Sequence, residues 1–290
     1  MSEKCKQLSP EMVEKAKREL GETPEKRREC LDQLRDMFNT RPDIKFRSDD
    51  AFLVRFLRCK KFDVERAFRM MVRYYEVRRD HRDIFDDCVP SSIEYILKKN
   101  MHYVSTGRDN EGRRVYIFKP EVVLCEKILE EEETQINGMV AILDLANVTM
   151  NHVTTYGPGN TRKMTDIMQN AMPLRVKAVH YVHQSKVVNA LFTMMRPFLS
   201  EKLKKRVQFH GDEFDNLHQQ VPSHLLPSEY GGAVPEFDNR EWRKILMASE
   251  EEFIENNKYG FAKSSDSLGG SSEGQDPNTG LKGSFKKLEI

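Results

Sequence analysis

The run Met139-Val140-Ala141-Ile142-Leu143-Asp144-Leu145 decides the fold class of this chain, because it is apolar on both sides of an extended strand. A strand of this kind belongs to a sheet that is covered on both faces, and such sheets are mostly parallel. Short apolar runs at 115–118, 176–182 and 207–209 are separated from it and from one another by helical stretches. The sequence therefore predicts an α/β domain in which helices flank a mostly parallel sheet.

The residues before this sheet have a helical period instead. Ser9-Pro10 and Thr23-Pro24 each open a helix, Asp49 or Asp50 can cap a third, and Asp63 starts a fourth. In the fourth helix the apolar side is predicted to face inward, and five arginines are left largely for solvent: Arg66, Arg69, Arg73, Arg78 and Arg79. These features predict a small all-α domain in front of the sheet.

Three segments follow from these patterns. We expect a helical N-terminal domain over residues 1–90 and an α/β domain over residues 91–255, with Trp242 to Phe253 as its last helix. The stretch 264–280 is rich in Ser, Gly, Asp and Pro and has too little apolar surface to fold. Residues 256–290 are therefore predicted to form a disordered tail.

Composition and charge argue against several classes of protein. A net charge of +1 and a pI of 7.7 give no general attraction to nucleic acid, so we expect no nucleic-acid partner. No apolar segment has the length of a signal peptide or of a membrane span, which needs about 20 residues. Five scattered cysteines are typical of reduced thiols. These features predict a cytosolic protein.

Several motifs occur in a characteristic order along the chain. Asp50-Ala51-Phe52-Leu53-Val54-Arg55-Phe56-Leu57-Arg58 is followed by Lys61-Phe62-Asp63 and later by Ile142-Leu143-Asp144-Leu145. The remaining motifs are Met172-Pro173-Leu174-Arg175-Val176-Lys177, Arg196-Pro197-Phe198-Leu199 with Glu201-Lys202, His210-Gly211, and Leu226-Pro227-Ser228-Glu229-Tyr230-Gly231-Gly232. Together they resemble the markers of the CRAL-TRIO lipid-transfer family over nearly the whole chain.

This resemblance implies a lipid-binding α/β domain whose sheet forms the floor of a closed apolar pocket. Met164, Met168 and Met172 recur four residues apart, which would place three adaptable thioethers on one helix face, although the same spacing also fits an ordinary core. By the same resemblance, the other pocket-wall positions are Cys125, Met139, Leu143, Val148, Ile167, Leu174 and Val179. The expected ligand is one small hydrophobic lipid, and no other cofactor is expected.

The segment from Val187 to Met195 has a helical pattern, and Pro197 ends it before a helix that Ser200 can cap. The matching helix of the family acts as a lid over the pocket. The apolar face of such a lid could move from the pocket into a bilayer. The sequence pattern also fits an amphipathic helix that never opens. The predicted lid residues are Val188, Leu191, Met194, Met195 and Phe198.

Basic residues lie beside this segment, and acidic residues are sparse there in the sequence. Alternation along a strand places Arg175 and Lys177 on one face, and a spacing of four places Lys202 and Arg206 on one side of a helix. The family resemblance implies that these four residues and Lys60 contact a phosphoinositide headgroup. A solvated basic surface is the alternative interpretation. The resemblance predicts transient peripheral binding to endosomal or other phosphoinositide-rich membranes.

The sequence contains no convincing catalytic motif. His180 and His183 are three residues apart in a strand and so point to opposite faces, which prevents them from sharing a metal easily. Asp144 is interpreted as a turn residue, and Gly107 to Arg113 predicts a hairpin turn rather than a phosphate loop. We therefore expect neither an enzyme nor a metal site.

One departure from the family pattern leaves two hypotheses open. Between Phe118 and Gln135 the chain is shorter than the pattern by about three to four helical turns, so that part of a pocket wall is missing. The first hypothesis is a monomeric intracellular carrier that exchanges a hydrophobic lipid at phosphoinositide-containing membranes. The second is a membrane-recruited protein-interaction module with a vestigial or incomplete pocket.

Overall fold

The computed structural model of the protein describes residues 8–98, 103–117, 122–146, 148–185, 192–193, 196–235 and 238–261. The predicted tail lies almost wholly outside these residues. The sheet and helix boundaries given below refer to the described ranges.

Helices build the N-terminal region, as the sequence predicts. The four predicted caps are present, because the side chains of Ser9, Thr23, Asp49 and Asp63 each accept a hydrogen bond from a backbone N–H in the first turn of the helix that follows. The helices are α1 (Pro10–Leu20), α2 (Pro24–Asn39), α3 (Asp50–Cys59), α4 (Val64–Asp80), α5 (Arg82–Phe85) and α6 (Glu94–Lys98).

A five-stranded sheet forms the second part of the structure. Its strands, in spatial order, are β2 (Tyr103–Arg108), β3 (Arg114–Ile117), β4 (Met139–Asp144), β5 (Val176–Val182) and β6 (Val207–Gly211). The β2–β3 pair is antiparallel and the other three pairs are parallel. The predicted hairpin turn joins β2 to β3, where Asp109 accepts the N–H groups of Glu111 and Arg113. The prediction of a mostly parallel sheet flanked by helices is confirmed.

Helices and one small ribbon complete the described residues. The strands β1 (Ile44–Lys45) and β7 (Gly260–Phe261) pair in an antiparallel ribbon separate from the main sheet. Gly157, with a φ of 67°, interrupts the long helix over Met150–Asp166. The helices are α7 (Val122–Ile128), α8 (Glu132–Asn137), α9 (Met150–Asp166), α10 (Glu201–Lys204), α11 (Asp215–His218), α12 (Arg240–Met247) and α13 (Glu250–Asn256).

The two faces of the sheet pack against different partners. Met139, Ala141 and Val179 join the large core that also contains the apolar sides of α3, α4 and α7. The alternate positions Val140 and Ile142 pack on a smaller cluster formed by residues 217–230. Both faces of β4 are therefore buried, as its continuous apolar sequence predicts.

Two predictions about helices are wrong. Arg78 does not face solvent: its guanidinium contacts the Glu126 carboxylate at 3.2 Å and donates to Asn257 at 2.8 Å, because α4 is covered on that side by α7 and the C-terminal segment. The predicted single helix from Trp242 to Phe253 is two helices, α12 and α13. They are separated at Ser249, whose hydroxyl donates to the Leu246 carbonyl at 2.7 Å.

Candidate functional site

The predicted pocket residues gather on the face of the sheet that carries the large core. Leu143, Met168 and Leu174 are half-buried and pack against this core, and Val148 is half-buried just beyond β4. The fully buried members of the predicted set are Cys125, Met139, Met164, Ile167, Met172 and Val179. Apart from Val148, these side chains thus belong to one apolar cluster between the sheet and helices α3, α4, α7 and α9.

The three methionines do not share one helix face as the sequence predicts. The α-helix ends at Asp166 and continues as one π-helical turn over Ile167–Ala171, which changes the spacing of the side chains. Met172 follows this turn in an extended conformation and is buried. Met164 and Met172 still reach the same core, whereas Met168 lies at its edge.

Of the five predicted lid residues, only Phe198 lies in the described part of the chain. Val188, Leu191, Met194 and Met195 lie outside the described residues. Phe198 is 37% exposed, and the guanidinium of Arg162 lies 5.9 Å from its ring centroid. The Gln169 side chain donates to the Phe198 carbonyl at 3.0 Å and accepts from the Ser200 N–H at 2.9 Å, which ties this segment to the π-helical turn.

Arg175 and Lys177 share one side of β5, as predicted, and both face helix α1. The Glu19 carboxylate lies 3.7 Å from the Arg175 guanidinium and 3.6 Å from the Lys177 ammonium. The Arg175 guanidinium also donates to the carbonyls of Gln135, at 3.2 Å, and Ile136. An acidic residue from a distant part of the sequence therefore lies among the basic residues, contrary to the expectation that acidic residues are sparse.

Lys202 and Arg206 approach each other in a different geometry from the predicted one. Helix α10 ends at Lys204, so Arg206 is not on its face but precedes β6. Its guanidinium donates to the Val176 carbonyl, which holds it beside the strand that carries Arg175 and Lys177. Lys202 and Arg206 are therefore brought together by the segment that connects α10 to β6, and not by a shared helix face.

Lys60 lies at the end of helix α3, next to a residue that contacts the segment before β5. It is the C-cap residue, and the thiol of the preceding Cys59 donates to the Leu174 carbonyl at 3.7 Å. Lys60 therefore lies next to the residue that contacts the start of β5. We refer to Lys60, Arg175, Lys177, Lys202 and Arg206 as the basic cluster.

The cations of the basic cluster interact unfavourably with one another. Burial lowers the pKa of Lys177, and the neighbouring Arg175 and Arg206 lower it further. Burial and the Arg206 cation likewise lower the pKa of Lys202. A bound anion would relieve this repulsion and raise both pKa values.

Gly138 permits a close approach between helix α8 and the strand segment that carries Arg175 and Lys177. This role was not identified from the sequence. The φ of 86° at Gly138 favours glycine, and a Cβ atom there would lie 2.3 Å from the Arg175 carbonyl oxygen and 2.9 Å from Cγ of Lys177. The absence of a side chain therefore lets α8 approach β5 closely enough for Arg175 to donate to the carbonyls at its end.

A set of polar contacts lies on the opposite face of the sheet, and the sequence analysis predicted only one of them. Asp144 accepts from the Ala146 N–H at 2.8 Å, which confirms its predicted turn role, but it also contacts His183 Nδ1 at 2.8 Å and accepts from the Tyr230 hydroxyl at 3.0 Å. His180 Nδ1 lies 2.9 Å from His210 Nε2. The Tyr230 contact joins the end of β4 to the segment that covers it, and the two histidine contacts join neighbouring strands.

The described residues contain no helix that is both long and apolar enough to cross a membrane. In the same part of the chain, no group of three or more His, Cys, Asp or Glu side chains is arranged to hold a metal ion.

Comparison with protein families and known proteins gives consistent matches. The CRAL/TRIO domain matches residues 98–232, which include the whole five-stranded sheet, and the Pinta-like UBA domain matches residues 23–95. Among solved structures, the crystal structure of Sfh5 aligns with 81% of this chain and 99% of that chain, at 12% identity and a TM-score of 0.48.

Two relatives are similar over most of their length. Alpha-tocopherol transfer protein-like of Homo sapiens is 34% identical, and the match covers 85% of this chain and 77% of that protein. Clavesin-2 of Rattus norvegicus is 35% identical, with 84% of this chain and 80% of that protein covered. These similarities confirm the family indicated by the sequence motifs, and the chain belongs to the CRAL/TRIO family.

Proposed function

We propose that this protein is a lipid carrier that binds one small hydrophobic molecule against its sheet and exchanges it at phosphoinositide-containing membranes. Its family membership and the name of a relative, alpha-tocopherol transfer protein-like, support the carrier role. The observation that carries the membrane part is that four members of the basic cluster, Arg175, Lys177, Lys202 and Arg206, come close together from two separate parts of the chain.

The apolar region on the sheet supports the choice of ligand class. Leu143, Met168 and Leu174 are half-buried at the edge of the core, and they lie beside fully buried side chains such as Ile167. Methionine and leucine side chains adapt to irregular apolar shapes without requiring polar partners. A small hydrophobic lipid fits such surroundings, whereas a charged or strongly polar ligand does not.

The position of the basic cluster supports exchange at a membrane. The lid proposed from the sequence includes Phe198, and α10, which carries Lys202, begins three residues after it. Cations that attract an anionic leaflet would therefore bring the lid to the same surface. Apolar surface buried in a bilayer gains about 25 cal/mol per Å², so a lid would open at little cost there and at high cost in water.

The carrier role is tested by extracting the purified protein with organic solvent and identifying bound molecules by mass spectrometry. We expect about one hydrophobic molecule per chain. Replacement of Leu143 by Asp should abolish it, because an unpaired carboxylate on the apolar side of β4 is strongly unfavourable. Ile245→Asp is the control, since Ile245 is 48% exposed on α12 and should leave the bound molecule unchanged.

Absence of a bound molecule from the wild-type protein, with membrane binding intact, would contradict the carrier role. That result would favour the second hypothesis, an interaction module with an incomplete pocket, which the shortened segment before Val122 also suggests.

A further inference from the structure

Tyr181 carries a hydroxyl whose surroundings differ from those of other tyrosines in the core. Four buried tyrosines each use the hydroxyl in a hydrogen bond within the protein: Tyr74, Tyr75, Tyr103 and Tyr230. Tyrosine hydroxyls in protein interiors usually have such a partner. The Tyr181 hydroxyl has none among the residues that the structure describes, although its side chain is half-buried and packs against the large core.

Tyr181 lies near the end of β5, on the sheet face that carries the predicted pocket residues. It pairs with Leu143 of β4 and with Phe209 of β6, and its ring stacks on Phe209 with the ring centroids 5.2 Å apart. Phe192 belongs to the segment proposed as the lid, and its ring centroid lies 4.9 Å from that of Phe209 and 6.2 Å from that of Tyr181. Tyr181 therefore lies between a predicted pocket residue and the lid segment.

The surroundings of the Tyr181 hydroxyl disfavour a charged group. Burial alone raises the pKa of Tyr181 to about 12, with no contribution from a charged side chain of the described residues. Lys177, the member of the basic cluster nearest to it on β5, lies four residues earlier, which corresponds to about 13 Å along a strand. A carboxylate or phosphate beside Tyr181 would lose its hydration without a cation to compensate. A neutral hydroxyl or carbonyl group would not incur this cost.

We infer that Tyr181 is a specificity-determining residue whose hydroxyl binds the polar group of the carried ligand, a neutral lipid with a hydroxyl or carbonyl oxygen. This inference rests on the proposed function. A tyrosine hydroxyl donates to a carbonyl oxygen, and it can either donate to an alcohol or accept from one. One or a few such groups fix the orientation of a ligand in an apolar site. A hydrocarbon leaves the Tyr181 hydroxyl unpaired and gains nothing from it.

The test compares Tyr181→Phe, which removes only the hydroxyl, with Tyr95→Phe, which makes the same change at a side chain that is 45% exposed on α6. The full chain is incubated with phosphatidylcholine vesicles that contain either a neutral alcohol or the hydrocarbon of the same skeleton. The probe retained per chain is then measured by mass spectrometry. The probe pairs are hexadecanol with hexadecane, phytol with phytane, and cholesterol with cholestane.

The ratio of variant to wild-type retention is taken for each probe, so that partition into the vesicles cancels. We expect Tyr181→Phe to lower retention of the alcohol that the wild-type protein binds by about three- to tenfold, because one hydrogen bond between neutral groups is lost. Retention of the matching hydrocarbon should not change, and Tyr95→Phe should affect neither probe.

Thermal unfolding of the ligand-free protein separates ligand recognition from a structural role. The midpoint for Tyr181→Phe should equal or exceed that of the wild-type protein, since the substitution breaks no hydrogen bond between described residues.

An equal effect of Tyr181→Phe on the alcohol and the hydrocarbon, including no effect on either, would overturn the inference. A co-purified lipid that lacks a neutral hydroxyl or carbonyl group would also overturn it. Failure of the proposed function has a different signature, because the wild-type protein would then retain none of the six probes and would yield no hydrophobic molecule on extraction. The inference would fail together with it.

Discussion

Arg58 and Arg175 are two cations with opposite surroundings. Arg58, at the end of α3, is fully buried and surrounded by acceptors: both oxygens of Glu22 and the Gln135 amide oxygen lie 2.8 Å from its nitrogens, and Glu132 also lies at 2.8 Å. Arg175 has one carboxylate at 3.7 Å and several cations nearby. The first cation has carboxylates of two residues at hydrogen-bonding distance, and the second has one carboxylate at a longer distance.

The pKa shifts of the two arginines express this difference. Although burial works in the opposite direction, the carboxylates of Glu22 and Glu132 raise the pKa of Arg58. Burial lowers the pKa of Arg175 and outweighs the opposing attraction of Glu19, and Arg206 lowers the pKa slightly further. A cation that joins two parts of the fold is thus matched by fixed carboxylates at Arg58, whereas Arg175 keeps excess positive charge around it.

Removal of Arg58 should produce the largest effect on stability. Arg58→Ala leaves the Glu22 carboxylate, which is 9% exposed, without its main partner and opens a cavity between α3 and α8. We expect a loss of about 3 kcal/mol in the free energy of unfolding, measured by urea denaturation. Arg69→Ala is the control, because Arg69 is 66% exposed and its pair with Glu65 should contribute less than about 1 kcal/mol. Equal effects of the two substitutions would contradict the distinction between buried and exposed pairs.

His180 extends the comparison of buried cations, because burial disfavours its protonated form. Burial, assisted by His210, lowers its pKa from 6.5 to about 4. The unfolded chain therefore binds a proton that the folded chain does not between these values. The contribution of His180 to stability should be complete above about pH 6.5 and should decrease by up to about 3 kcal/mol as the pH falls toward 4.

The measurement is the free energy of unfolding as a function of pH for the wild-type protein and His180→Asn. The asparagine variant cannot titrate, so its stability should depend less on pH between 6.5 and 4. His224→Asn, at an exposed position, should retain the wild-type profile. Identical profiles for all three proteins would exclude His180 as the source of acid sensitivity.

The fold was largely predictable because its signals are local. Caps such as Ser9 and Asp63 act within one helical turn. The continuous apolar sequence of β4 by itself predicts that both faces of the strand are buried. Strand β2 was not predicted, since its sequence is polar and its position depends on pairing with β3. The π-helical turn after Asp166 was also missed, because a four-residue spacing of methionines carries no sign of an inserted residue.

The candidate site was only partly predictable. The cations were identified from their spacing and the family resemblance, but the geometry of Arg206 was wrong because α10 is shorter than its sequence pattern suggests. Glu19 and Gly138 were missed for a different reason. Their roles arise from the packing of α1 and α8 against β5, and contacts between distant segments leave no periodic signal in one sequence.

Charge reversal in the basic cluster tests the central claim most directly. Lys177→Glu combined with Lys202→Glu avoids Arg175, whose hydrogen bonds to Gln135 and Ile136 also support the fold. The matched control is Arg240→Glu with Lys244→Glu, because these side chains are 72% and 73% exposed on α12. The measured quantity is the affinity of the full chain for vesicles containing a phosphatidylinositol bisphosphate.

Each basic residue near an anionic leaflet contributes about 1 kcal/mol, so we predict that the double reversal weakens vesicle binding by at least about 30-fold and that the control changes it little. Wild-type binding should also weaken as salt is added. Equal binding by the cluster variant, the control and the wild-type protein would contradict the claim that this surface recognises phosphoinositide membranes.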